Sequence, residues 1–238
     1  KATSESEICI FCHTSHLSNP TAPLWNKKSK GVLYALYNSS TMQAFPGQPD
    51  GSSILCLSCH DGTTALGNVI SREAGIDMSS TAKMTKGNDN LTTDLRDDHP
   101  ISFTYNSSLA SADGELKIPT AITPLITLEN EKLQCTSCHD PHINVNEDFL
   151  VVTTQYSELC TSCHQKTGWQ ESSHSTSMKT WNNVLPDPWP FSGWTTVAEN
   201  ACENCHSPHQ AGGVPWLLKY KAEEMNCLDC HNGNVSEK

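Results

Sequence analysis

The sequence is short of apolar residues and of positive charge. Only 36% of its 238 residues are hydrophobic and 7% aromatic, against an apolar share of roughly 45–50% in ordinary globular chains. So little apolar material cannot build several protein cores. No run is long and apolar enough to span a bilayer. Lysine and arginine number 15 against 26 aspartates and glutamates, a formal net charge of −11. That balance argues against nucleic acid or anionic lipid as a partner. Methionines number five, but cysteine and histidine are plentiful, at 12 and 11.

The cysteines explain themselves by their spacing. Cys-x-x-Cys-His occurs six times: Cys9–His13, Cys56–His60, Cys135–His139, Cys160–His164, Cys202–His206 and Cys227–His231. The six motifs use all twelve cysteines: Cys9 and Cys12, Cys56 and Cys59, Cys135 and Cys138, Cys160 and Cys163, Cys202 and Cys205, Cys227 and Cys230. A lone CxxC could be half a zinc site or a redox dithiol, but neither requires a histidine directly after every pair. Disulfides within CxxC would close loops too small to staple much. The pattern is the c-type haem attachment signature. Two thiols one helical turn apart bond to two vinyl groups on one porphyrin edge. The adjoining histidine then sits under the iron. The sequence therefore predicts six covalently attached haem c groups, with His13, His60, His139, His164, His206 and His231 as proximal ligands.

Six haems leave about forty residues each. The expected fold is mostly irregular and loop-rich, with short α-helices at the motifs and a few short β-hairpins, organised by the haems. The motifs fall into three pairs. The spacing from Cys135 to Cys160 is 25 residues, as is that from Cys202 to Cys227, and the first pair is stretched to 47. In each pair the first motif continues as CHxxH (His13/His16, His139/His142, His206/His209) and the second does not. An apolar doublet recurs at one offset, Phe149-Leu150 and Trp216-Leu217. Three two-haem modules follow, over residues 1–98, 99–173 and 174–238, as one continuous haem chain.

Six-coordinate haems need twelve axial ligands, and the chain has eleven histidines. Beyond the six proximal ones stand His16, His99, His142, His174 and His209. A CHxxH histidine cannot reach round its own porphyrin but can reach a neighbouring one. Module 2 owns four histidines for two haems, as does module 3; module 1 owns three. Within a module, the CHxxH histidine is assigned to the second haem and the leading histidine (His99, His174) to the first. One position is left short of a histidine, at the His13 haem. Met42, Met78, Met84, Met178, Met225, the N-terminal amine, a lysine, water or an open site are the candidates.

The connecting segments give coarser signals. Residues 1–8 form a polar arm, and 17–55 an insertion with Pro23-Leu-Trp, Tyr34, Leu36 and Tyr37 available to pack on a haem face. Residues 61–98 read as a long polar linker, 121–135 as a small β-hairpin leading into a motif, and 215–225 as a helix with proline in its first turn. Trp169, Trp181, Trp189 and Trp194 are packing residues. No catalytic residue is identified.

Cys135-Thr-Ser-Cys-His-Asp-Pro-His142 with Leu159-Cys-Thr-Ser-Cys-His164, and Cys202-Glu-Asn-Cys-His-Ser-Pro-His209 with the motif ending at His231, resemble the doubled CXXCH motifs of multihaem c-type cytochromes. Cys9-Ile-Phe-Cys-His-Thr-Ser-His16, Pro23-Leu-Trp-Asn26 and Cys56-Leu-Ser-Cys-His-Asp-Gly62 resemble the first module of such cytochromes from metal-reducing bacteria. The resemblance implies electron transfer outside the cytoplasm, with other redox proteins or extracellular acceptors as partners. Some hexahaem members polymerise into filaments, so a homopolymer is expected. The expected compartment is extracellular, outer cell surface or periplasmic, with a signal peptide removed and Lys1 as the mature N-terminus. The alternatives are a discrete periplasmic shuttle, or a multihaem oxyanion reductase working at the under-ligated haem.

Overall fold

Regular structure is sparse and serves mainly to hold the motifs. The computed structural model describes residues 2–236 except 21, 23, 29, 30, 80, 81, 86 and 88, so the readings placed on Lys1 and Pro23 lie outside the described residues. The elements are short α-helices, 3-10 turns and four two-residue strands joined by loops. Among the described residues, no helix is long and apolar enough to cross a membrane. The chain forms two units, residues 1–36 with 47–95, and residues 37–46 with 96–238.

In the first unit the 3-10 turn Ile8–Phe11 carries one motif and the α-helix Gly51–His60 the next. Ser53 and Leu57, one turn apart, are the helix's buried residues. Much of the interior here is polar. Asn26 is fully buried; its Nδ2 donates to the Ile10 carbonyl (2.6 Å) and to Ser71 Oγ (2.8 Å), and its Oδ1 accepts from Ser71 N–H (2.9 Å). Lys27 is 1% exposed and donates to the Leu66 carbonyl. Tyr34 donates to Asp61 Oδ2 at 2.8 Å, and the Gln48 amide bonds both main-chain groups of Tyr34. Ala35–Leu36 pairs in parallel with Asp94–Leu95. Residues 91–95 of the linker thus lie against the first unit, with Leu91 N–H bonded to the His60 carbonyl.

The second unit has an apolar centre: Phe103, Tyr105, Ile126, Leu133, Val152 and Cys163. Phe103–Thr104 pairs antiparallel with Lys132–Leu133. The helix Ser107–Asp113 starts where Asn106 Oδ1 accepts from Leu109 N–H and stops at left-handed Gly114, both ordinary capping devices. A smaller cluster joins Tyr37, Ala211 and Leu217, with Met42 against it.

Two local expectations are corrected. Residues 121–135 do not form a hairpin of their own. A tight turn does link Glu129 and Lys132, but the strand that follows takes Phe103–Thr104 as its partner, whose aromatic ring belongs to the apolar centre. Residues 215–222 are not helical; the helix is confined to Glu223–Leu228. Trp216 and Leu217 have φ of 73° and 53°, because their main chain is committed elsewhere. Ser207 N–H donates to the Leu217 carbonyl and Lys219 N–H to the Cys205 carbonyl.

That commitment recurs in all three CHxxH segments. Thr14 N–H bonds Leu24 O and Asn26 N–H bonds Cys12 O; Asp140 N–H bonds Phe149 O and Val151 N–H bonds Cys138 O. Each returning segment has a non-glycine residue at positive φ (Leu24, Phe149, Leu217), an unusual conformation for such side chains. In the third copy the approach is so close that a Cβ on Gly212 would stand 2.3 Å from the Lys219 carbonyl.

Candidate functional site

Each CxxCH motif forms a single helical turn. The histidine N–H bonds the carbonyl of the first cysteine at His13, His139, His164, His206 and His231, at 2.8–3.0 Å; the motif at Cys56 lies inside the helix Gly51–His60. A turn places residues i and i+3 on one face, so the two sulfurs of a motif share a side and the histidine follows directly. None of the twelve cysteines is in a disulfide.

Within each unit, consecutive motifs are neighbours through their sulfurs. The Cys160 and Cys202 thiols hydrogen-bond to each other, which pulls Cys202 down to about 7 and pushes Cys160 well up. Cys138 is pushed up to about 12, first by burial and then by Cys163. Cys205 feels Cys227, and Cys12 feels Cys59. The motifs of the second unit therefore follow one another in space in the order His139, His164, His206, His231, and those of the first unit are adjacent.

Three motif histidines are oriented by main-chain carbonyls at Nδ1: His60 by Asp89 (2.7 Å), His139 by Asp148 (2.8 Å) and His206 by Trp216 (2.8 Å). With Nδ1 carrying the proton, Nε2 is left as the donor to a metal. The Asp148 and Trp216 carbonyls belong to the returning segments, so the clamp that fixes the motif also fixes the ring.

Among the described residues of the second unit, three pairs of histidines face one another. His99 and His164 have ring centres 6.3 Å apart, His139 and His209 6.2 Å, His174 and His231 6.2 Å. With metal–imidazole bonds of about 2.0–2.1 Å and ring centres roughly 1.1 Å beyond the nitrogen, two imidazoles on opposite sides of one metal stand about 6.2–6.4 Å apart. The residues fit haem iron held between two histidines, with the thiols of the proximal motif alongside. Burial, reinforced by His164, lowers His99 to about 4 against the opposing pull of the Pro100 carbonyl. His164 is likewise lowered by burial. Both are therefore neutral at pH 7, the form a ligand needs. Among the described residues no group of three or more His, Cys, Asp or Glu gathers into a metal cage.

This pairing differs from the one expected within modules. The leading histidines meet the second motif, not the first, because the chain after each one runs beside that motif. Lys117 N–H bonds Cys163 O and Leu116 bridges His164; Asn182 N–H bonds Asn234 O just past His231. The CHxxH histidine His209 meets His139 of the preceding module because residues 97–99 are bonded to 208–211: His99 N–H to Pro208 O and Ala211 N–H to Asp97 O.

The other candidates are placed less centrally. His142 is exposed, with Nδ1 3.3 Å from Asp140 Oδ1. His16 is exposed, its carbonyl accepting from Thr14 Oγ1. His13 has Trp25 edge-on at 6.0 Å, and an indole cannot ligate. Met42 packs in the Tyr37 cluster, Met78 bridges Ala2, and Met178 and Met225 are exposed. Of the four tryptophans, Trp189 is buried and donates to Asn204 Oδ1 at 2.8 Å. Sequence reasoning missed Asp98, whose carboxylate lies 3.1 Å from His209 Nδ1. It also missed the orienting carbonyls. A carbonyl has no residue signature; Asp98 had one, standing directly before His99.

A family model for the doubled CXXCH motif matches residues 129–168 and 195–236, the segments that contain the four motifs of the second unit. The multiheme cytochrome MtrA of Shewanella baltica (strain OS185) is 28% identical over 103 residues, which is 43% of this chain and 25% of that protein. The match thus spans about a quarter of that relative's length. Together these findings support a multihaem cytochrome of the c type, with covalently bound haem c at its paired motifs and a fold of short helices, small ladders and long loops.

Proposed function

We propose that this chain carries electrons outside the cytoplasm through six covalently attached haem c groups. The observation that carries the reading is the set of three histidine pairs separated by 6.2–6.3 Å, each beside a CxxCH turn. Haem c supplies reversible one-electron chemistry at its iron. The residues do the rest. At the three pairs, the CxxC thiols would hold the group to the chain, and the facing imidazoles would bind its iron and leave no place there for a substrate. Main-chain carbonyls at Nδ1 keep the rings from turning. The sequence of adjacent sulfurs sets neighbouring groups in a row, as a carrier requires and an isolated catalytic centre does not.

The partners are other redox proteins, extracellular acceptors or further copies of the chain; nucleic acid is disfavoured by the −11 charge. The likeness of the first module to cytochromes of metal-reducing bacteria supports an extracellular or periplasmic place, and the likeness in motif count and CHxxH usage to hexahaem members that polymerise supports a homopolymer. Electron microscopy of the native protein separates filaments from discrete particles.

The test of the function itself is a reductive titration of the native protein under carbon monoxide. A carrier takes up six electrons per chain, and the haems at the three histidine pairs form no carbonyl complex. Carbonyl formation at most of the haems would overturn the reading.

A further inference from the structure

The pair His139–His209 has a buried carboxylate behind one of its rings. His139 Nδ1 and His99 Nδ1 meet neutral main-chain carbonyls, of Asp148 at 2.8 Å and of Pro100 at 3.0 Å. His209 Nδ1 meets the carboxylate of Asp98 at 3.1 Å. That carboxylate side chain is 4% exposed. Its Oδ1 also accepts from Gln210 N–H at 3.2 Å. Its Oδ2 is buried with no hydrogen-bond partner among the described residues. Leaving a buried carboxylate oxygen unbonded is costly, and the main-chain bonds Ala211 N–H to Asp97 O (2.9 Å) and His99 N–H to Pro208 O (2.8 Å) already join the two segments. His142 and Asp140 make a similar contact at 3.3 Å, but with side chains 72% and 36% exposed, where water weakens the effect.

We propose that Asp98 is a positioning residue that holds the His209 ring and sets the iron between His139 and His209 to a lower reduction potential than carbonyl-backed histidines would give. The inference rests on the reading of those two histidines as ligands of one haem iron. Its mechanism has two parts acting in the same direction. A carboxylate accepting the Nδ1 proton raises the basicity of Nε2, making the imidazole a stronger donor to ferric iron. A buried negative charge close to the iron also stabilises the ferric over the ferrous state, since ferric iron carries one more positive charge. The same short segment presents His99 to His164, so Asp98 sits between two distal ligands and acts directly on one.

The experiment is a spectroelectrochemical titration of the haem-loaded full chain carrying Asp98→Asn, Asp98→Glu or His209→Ala. Asparagine keeps the shape and can accept the Nδ1 proton but lacks the charge. Asp98→Asn is expected to raise one midpoint potential and leave the other five, with about a tenfold change in that one-electron equilibrium, or about 59 mV. Asp98→Glu restores the charge and should titrate near the parent. His209→Ala is expected to convert one haem to high spin. If His209→Ala leaves every haem low-spin, the ligand reading itself fails. If it produces one high-spin haem but Asp98→Asn titrates like the parent, or Asp98→Asn and Asp98→Glu shift alike, the role of Asp98 is wrong.

Discussion

The two units bury different side chains around the same kind of motif. The first buries Asn26, Lys27, Ser53 and the Tyr34–Asp61 pair beside the apolar Leu57, Val69 and Ile76. The second has a cluster of Phe103, Tyr105, Ile126, Leu133 and Val152, plus three facing pairs of histidines. Their buried charges differ too. The first unit encloses Lys27 and Asp61, the second Asp98 and Asp229. A chain too poor in apolar residues for ordinary cores can thus be fixed in two ways. One is a network in which buried amides and hydroxyls find partners. The other is a small apolar centre supplemented by histidines of distant segments that face one another in pairs.

Four experiments would break or sharpen that contrast. The largest effect belongs to the ligands of the second unit. His99→Ala and His174→Ala should each convert one haem of the loaded protein to a high-spin, carbon-monoxide-binding form, counted by absorbance on carbonylation. An unchanged count would remove the histidine pairs from the account. Next comes Phe103→Ala, expected to cost about 3–5 kcal/mol; hydrogen exchange should show protection falling first around residues 101–133, and a fall confined to the first unit would deny the apolar centre its role. Asn26→Ala should cost less, about 1–3 kcal/mol for the buried partners it leaves unbonded, read as faster exchange at Ser71 and around the Cys9 motif. Smallest is Lys27→Met. Lys27 lies near Cys12 and Cys59, and burial lowers its pKa. Removing this cation should lower a midpoint potential in the first unit, the opposite sign to Asp98→Asn; a rise would contradict the account.

The attachment chemistry was legible from spacing alone, since a covalent site must carry its own residues at fixed intervals. The loop-rich fold followed from the low apolar content. The CHxxH clamp was half legible: the apolar doublets Phe149-Leu150 and Trp216-Leu217 mark the returning segment, but not its backbone bonds or the positive φ at Phe149 and Leu217. The partner of each distal histidine was not legible. Placing His209 against His139 depends on main-chain bonds between residues 97–99 and 208–211, more than a hundred positions apart, which no local pattern encodes. The helix expected over 215–225 failed for a related reason. Its propensity was overridden by the demand of Ser207 and Cys205 for main-chain partners. Asp98 escaped notice because an acidic residue beside a histidine reads as surface until its burial is seen.

Ring orientation supplies the most direct test of the cross-module pairing. The rings of His139 and His209 are inclined by 32°, while those of His99 with His164 and of His174 with His231 stand at 76°. Low-spin ferric haem with nearly parallel imidazoles gives a rhombic paramagnetic resonance spectrum, and nearly perpendicular ligands give a strongly axial one. The measurement is the low-temperature spectrum of the oxidised His209→Ala protein against the parent. The account predicts loss of a rhombic component, gain of one high-spin signal and intact axial components. Loss of an axial component instead would mean that His209 serves the His231 haem within its own module, and the pairing described above would be wrong.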